Sequence, residues 1–229
     1  MGRIEYKQYH RFLLAVDCII FGFDGSGLKA LLIKRGFEPE LGKWSLMGGF
    51  ADADESIDQA AQRILLNLTG LDQIYMEQLS CFGEVDRDPG GRVVSIAYFA
   101  LIKIDESNQE KLDQHQAKWV DLKKLPSLIF DHRQMIRLAK ERLRQKVANH
   151  PIGFELLPHK FTLQQLQALY EAIYETTFDK RNFTRKILSL GVLQRLDEKE
   201  KTSSKKGAFY YVFDKKKYKR LESEGIKFI

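Results

Sequence analysis

"GGFADADESIDQAAQRILLNLTG", residues 48–70, decides how this chain is read. Glycines bracket it, and Glu55 and Arg63 stand inside it. On a helix, positions i, i+3 and i+4 share one face. The three such positions after Arg63 are Ile64, Asn67 and Leu68. A hard cation such as magnesium or manganese wants several oxygen donors on one face. This face offers one neutral oxygen, on Asn67. The stretch has the skeleton of a catalytic motif with almost none of the acids that would make it catalytic.

Upstream, "RFLLAVDCIIFGF" (11–23) and "LKALLIKR" (28–35) are apolar, β-rich runs joined by the turn signal "DGSG", which predicts a hairpin. Downstream, "VVSIAYFALIKI" (93–104) reads as a strong strand after a "DPGG" turn. "AKWVDLKKLPSLIFDHRQMIRLAKERLRQKV" reads as a strand, a Pro-marked loop and a long helix. Ile136, Ala139, Leu143 and Val147 form the apolar stripe of that helix. "ANHPIGFELLPHK" is irregular and places a domain boundary at 150/151.

Beyond it the character changes. In "FTLQQLQALYEAIYE" (161–175), Thr162 and Gln165 form a capping-box signature, followed by a stripe of Leu163, Leu166, Leu169, Tyr170 and Ile173. Asp179 caps a second helix, "KRNFTRKILSL", which Gly191 ends. "VLQRLD" and "AFYYVFD" then read as short strands around the polar turn "EKEKTSSKKG". Helix, helix and β-ribbon is the plan of a winged helix-turn-helix. At about 100° per residue, Phe183, Ile187 and Leu190 face inward. Lys180, Arg181, Asn182, Arg185, Lys186 and Ser189 supply the outward face, with guanidiniums suited to guanine or phosphate and an amide suited to adenine. Lys201, Ser203, Ser204, Lys205 and Lys206 suit phosphate contacts by a wing.

The 229 residues suffice for one large domain or two smaller ones. No apolar run is long enough to span a bilayer. "MGRIEYKQYHRF" has neither a signal-peptide core nor a myristoylation signal. Cys18 and Cys81 lie in apolar runs, read as buried thiols, and point to a reducing, cytoplasmic setting. The formal charge is +6, all of it in the last third. Residues 151–229 carry 16 Lys plus Arg against 10 Asp plus Glu, whereas the first 150 residues balance at 21 each. Such asymmetry fits either a polyanionic partner or a solvated lysine-rich tail such as "DKKKYKR".

The opening stretch resembles the Nudix box, G-x5-E-x7-R-E-U-x-E-E-x-G-U, with Gly49, Glu55, Arg63, Gly70 and Leu71 in register. With the helix-helix-ribbon module behind it, the chain is similar to the Nudix-related transcriptional regulators of bacteria. "GEVDRDPGGRVVSIAYFALI", "FDHRQMI", "ELLPHKFTLQQLQALYEAI" and "DKRNFTRKIL" carry the likeness across nearly the whole length. The wing departs from it, with "SSKKGAFYYVF" in place of an Arg-Pro-containing turn.

The resemblance implies an α+β chain. Residues 1–150 form a Nudix-like α/β/α sandwich with a mixed sheet, and residues 151–229 form a winged helix. It further implies a homodimer that binds double-stranded operator DNA and a small effector, with no membrane partner and no cofactor. The box is then a vestige: Gly49, Glu55, Arg63 and Gly70 brace a pocket, with no catalytic or metal-binding residue. The family senses ADP-ribose in some members and serves sugar utilisation in others. The effector is therefore an ADP-ribose-like nucleotide or a pentose such as arabinose.

ADP-ribose wants cations for its diphosphate, from Lys34, Arg35, Arg87 or Arg92, and an aromatic platform, from Trp44, Phe50 or Phe82. A sugar wants hydrogen-bonding groups such as Glu84, Arg87 and Asp88. Trp44 and Phe82 read as core ahead of platform, and Arg92 also reads as hairpin decoration. The rival is a divergent hydrolase with a metal site built from Asp52, Asp54 and Glu55. A third reading is an adaptor whose C-terminal module binds protein.

Overall fold

β1 (Leu13–Phe23) explains most of the architecture, because its side chains alternate between two cores. In the computed structural model, which describes residues 8–149, 154, 156–201 and 207–223, every residue of β1 from Ala15 onward is buried. Val16, Cys18 and Ile20 point to one face of the sheet, and Ile19, Phe21 and Phe23 to the other. A period of two along a strand requires this split.

β1 pairs antiparallel with β2 (Leu28–Lys34), Phe21 opposite Ala30. The Asp24 carboxylate accepts from the backbone N–H of Ser26 and of Gly27 and fixes the turn between them. On its other side β1 runs parallel to β6 (Val93–Leu101). β3 (Trp44–Ser45), β4 (Met47–Phe50), β5 (Glu77–Phe82) and β7 (Lys118–Asp121) complete a seven-stranded mixed sheet.

α1 (Ile57–Thr69) covers one face, with Ala60, Ala61, Ile64 and Leu65 against Val16, Cys18 and Ile20. α2 (Glu106–Gln114) lies on the same side, with Leu112 in the same core. α3 (His132–Asn149) covers the other face through Met135, Ile136, Ala139, Leu143 and Val147. The sandwich with a mixed sheet is therefore present as the sequence implies.

The C-terminal module runs β8 (Phe161–Thr162), α4 (Leu163–Tyr174), α5 (Lys180–Ser189), β9 (Leu193–Glu200), β10 (Ala208–Phe213) and α6 (Lys215–Ser223). Its three strands order β8-β10-β9. The Thr162–Gln165 capping box forms in full, and the Asp179 side chain accepts from the Asn182 N–H to start α5. Gly191, at φ +67°, takes the left-handed turn that ends it. Leu166, Leu169, Tyr170, Ile173, Phe183 and Ile187 join the α3-side core of the first module, so one apolar cluster spans both.

Several expectations need correction. Cys18 is buried, but Cys81 is exposed, because β5 turns that residue to a surface groove. β6 ends at Leu101 rather than 104. The polar "EKE" belongs to β9 rather than to a turn. Ser203, Ser204, Lys205 and Lys206 lie outside the described residues, as does the boundary at 150/151. "KKKYKR" is no tail: it lies in α6, with the Tyr218 ring packed at a tilt against Phe213 at 5.7 Å. Among the described residues no helix is long and apolar enough to cross a membrane.

Candidate functional site

The frame of the box is intact. Arg63 Nε donates to Glu55 Oε2 at 2.9 Å, and its Nη2 donates to Glu55 Oε1 and to the Phe50 carbonyl at 2.9 Å. Glu55 also accepts from the Asp52 N–H. The Arg63 hydrogen bond holds the Glu55 carboxyl down at about pKa 2. Asp52 turns to Arg63 as well, at 3.3 Å. Ile64 lies in the core, where a Cβ on Gly49 would meet its side chain at 3.1 Å. Leu68 is half-buried beside it, and Asn67 is exposed.

The residues therefore do not fit the divalent metal of a Nudix hydrolase. The helix face carries Ile64, Leu68 and one neutral amide, Asn67, where the ligands would stand, and Glu55 is committed to Arg63. Among the described residues no three His, Cys, Asp or Glu side chains are arranged to hold a metal ion.

Beside the box, β1, β4 and the start of α3 enclose a cavity of about 30 Å³. Its floor is a buried polar network that composition does not reveal. Asp17 projects from β1; its Oδ2 accepts from Ser95 Oγ at 2.6 Å. Arg87, with 2% of its side chain exposed, donates twice to Asp131, at 2.9 and 2.7 Å, and lies 3.5 Å from Asp17. Burial works against the Arg87 charge, but Asp131 and Asp17 outweigh it and raise its pKa.

His132 Nδ1 accepts from the Leu46 N–H at 3.1 Å, so its proton sits on Nε2, 3.4 Å from Asp17 Oδ1. Burial lowers the His132 pKa, and the ring is neutral. Gly48 is required here, since a Cβ would collide with the Asp17 carboxylate. Phe130 sits at φ +48°, an uncommon conformation for a bulky side chain. Its ring lies edge-on to His132 and 5.2 Å from the Arg35 guanidinium.

An open groove of about 820 Å³ adjoins the cavity and shares Arg87 and Phe130 with it. Small-molecule sites run to roughly 300–1,000 Å³, so the groove has the capacity for a nucleotide and the cavity alone does not. Of the effector candidates, Arg35, Phe50, Arg87 and Asp88 line the cavity, and Phe82, Glu84 and again Arg87 line the groove.

Lys34, Trp44 and Arg92 line neither. Lys34 lies over the Trp44 ring at 4.2 Å, and Arg92 donates to the Gly83 and Glu84 carbonyls while stacking on Phe12. Asp17, Phe37, Phe130, Asp131 and His132 were missed. A lone carboxylate in the apolar run "RFLLAVDCIIFGF", and Asp-His opening a helix, were the available signals.

α3 links this pocket to the second module. Asp131 starts it, accepting at its carbonyl from the Gln134 and Met135 N–H groups. Two and three turns along, Lys140 and Arg144 grip Glu175 at 2.5 and 2.9 Å, and Arg144 Nε donates to the Ile173 carbonyl. The Lys140 hydrogen bond lowers the Glu175 pKa. Glu175 is the left-handed C-cap of α4, at the turn into α5.

On α5, Phe183 and Ile187 are buried and Leu190 half-buried, while Lys180, Arg181, Asn182, Arg185, Lys186 and Ser189 are exposed. Arg185 donates to the Asn182 side-chain carbonyl, and Ser189 to the Lys186 carbonyl. Lys201 is exposed at the end of β9.

Comparison with known proteins adds to this geometry. Residues 11–139 match the NUDIX domain, and residues 153–213 match the NrtR DNA-binding winged helix domain. The chain is 34% identical to the "ADPR responsive transcriptional repressor NtrR" of Acinetobacter baylyi, over 93% of this chain and 86% of that one. The crystal structure of Shewanella oneidensis NrtR complexed with a 27mer DNA superposes with a TM-score of 0.76 at 31% identity, covering 90% of this chain and 95% of that one. The NUDIX domain of the same protein complexed with ADP ribose superposes with a TM-score of 0.52 at 35% identity, over 61% of this chain and 94% of that one.

Proposed function

The chain belongs to the Nudix-related transcriptional regulators, a NUDIX domain fused to an NrtR-type winged helix, and from that premise we propose that it is an ADP-ribose-responsive repressor. Residues 1–150 bind the effector, and residues 151–229 hold operator DNA in a homodimer. The observation that carries the reading is the similarity over 93% of the chain to a repressor named for its response to ADPR. The pocket supports it. The relatives named above refer to ADP-ribose and none to a pentose, so arabinose is not retained.

Each part of the ligand has a counterpart. Arg35 has no ion pair among the described residues and faces the cavity, which suits it to the diphosphate. Phe50, 41% exposed at the rim, suits it to stack on adenine. Asp88 and Glu84 suit the ribose hydroxyls. Arg87 is already held by Asp131 and Asp17 and acts as scaffold. The exposed face of α5 enters the major groove, and Lys201, Lys205 and Lys206 approach phosphates.

Occupation of the groove bears on Asp131 and Phe130, at the start of α3. α3 carries the change to Glu175 and so to the placement of α5. Ligand binding thereby favours one arrangement of the winged helices and releases the operator.

Titration calorimetry with ADP-ribose tests the pocket. Arg35→Ala should weaken binding by roughly 10- to 100-fold, the worth of a hydrogen bond to a charged group. An unchanged affinity would place the ligand elsewhere. Incubation with manganese tests the rival hydrolase. Release of AMP and ribose 5-phosphate would restore it, because the proposed repressor leaves ADP-ribose intact.

A further inference from the structure

A run of exposed lysines beyond the β-ribbon is unassigned. α6 carries Lys215, Lys216, Lys217 and Lys219, all exposed, and lies beyond residue 213, where the winged-helix match ends. The helix is built into the fold. The Asp214 carboxylate accepts from the Lys216 and Lys217 N–H groups and starts it, and Tyr218 packs on Phe213. At about 100° per residue, Lys216 stands opposite the Tyr218 ring, with Lys217 and Lys219 to either side. Asp214 offsets little of this charge: Lys217 reaches it only at 4.0 Å.

Position gives the patch a meaning. The Asp214 N–H donates to the Val192 carbonyl at 2.8 Å, and Phe213 pairs with Leu193. α6 therefore begins beside the C-terminal end of α5. The far end of the same β9–β10 hairpin carries Lys201. Six residues of β10 separate the two ends, a span of roughly 17–20 Å at about 3.3 Å per residue. The major groove is about 12 Å wide. A helix seated in it has a sugar-phosphate backbone on either side, and the hairpin is long enough to set Lys201 against one and α6 against the other.

We propose that α6 is a second phosphate-binding element, gripping the DNA backbone across the groove from the wing. It deepens the DNA-binding reading and rests on it. Its contacts position the protein and carry no sequence information.

The test is the salt dependence of duplex binding by the full-length protein, measured by anisotropy on the duplex it selects and on a scrambled one. Each lost phosphate contact lowers the slope of log K against log salt by about 0.9. The quadruple variant K215Q/K216Q/K217Q/K219Q should flatten it by about 1.8 or more per bound chain, equally on both duplexes. The matching Lys→Arg quadruple should keep the original slope. Lys216→Gln and Lys219→Gln singly, which leave Tyr218 and the helix in place, should each flatten it by about 0.9. A wild-type slope in the folded glutamine variants would overturn the inference while leaving the DNA-binding reading standing. Failure of the unaltered protein to bind any duplex at low salt would overturn both.

Discussion

His132 shows how the pocket floor depends on protonation. Its Nδ1 is taken by the Leu46 N–H, so a second proton would break that hydrogen bond inside the core. The folded pKa lies below the ordinary value near 6.5 through burial. The unfolded chain therefore takes up a proton as pH falls below about 6.5, while the folded chain resists it. Stability is then lost on acidification from that point, by up to about 1.4 kcal/mol per pH unit until the folded pKa is reached. Denaturant melts between pH 7 and 5 should show a smaller loss in His132→Gln than in the unaltered protein. Equal pH dependence would mean that His132 is protonated or solvated in the folded state. At this scale the sequence was only partly legible. The box frame and its missing acids could be read directly, because their spacing is local. The Asp17–Arg87–Asp131–His132 floor could not, since it joins residues far apart in the chain that only the sheet register brings together. Trp44 and Lys34 satisfied the chemistry expected of a pocket, yet β2 and β3 place them side by side outside it.

Among the elements, α3 and α5 carry the account. Arg181 and Arg185 are exposed on α5, away from its packed face of Phe183 and Ile187. The pair Arg181→Glu, Arg185→Glu should abolish operator binding and leave the melting temperature within a few degrees. Retained tight binding would mean that α5 does not enter the groove. On α3, the grip of Lys140 and Arg144 on Glu175 ties the pocket helix to the turn before α5. Glu175→Gln should keep ADP-ribose affinity while cutting its effect on DNA binding about tenfold, a loss near 1.4 kcal/mol of coupling. Undiminished coupling would route the signal elsewhere. Elements with a strong apolar stripe or a capping box were legible in advance: β1, β2, α3, α4 and α5. α2 was not, because Leu112 is its only buried residue and leaves no periodicity. α6 was hidden because Lys215, Lys216, Lys217 and Lys219 read as a solvated run, and the packing of Tyr218 on Phe213 leaves no stripe in the sequence.

At the scale of the whole molecule, the two modules share one apolar cluster that runs from the sheet through α3 into α4 and α5. Charge divides the two modules, with a balanced first module and a basic second one. That division was legible from counting alone, whereas the route between the halves needed the structure. The central claim is that ADP-ribose and operator DNA compete through this body. Linkage requires that each weaken the other by one factor, and a hundredfold effect corresponds to about 2.7 kcal/mol. The direct measurement is anisotropy of the selected duplex with the full-length protein, titrated at fixed salt with and without saturating ADP-ribose. The account predicts an affinity about a hundredfold weaker with the ligand present. Bound ADP-ribose that leaves DNA affinity unchanged would contradict it.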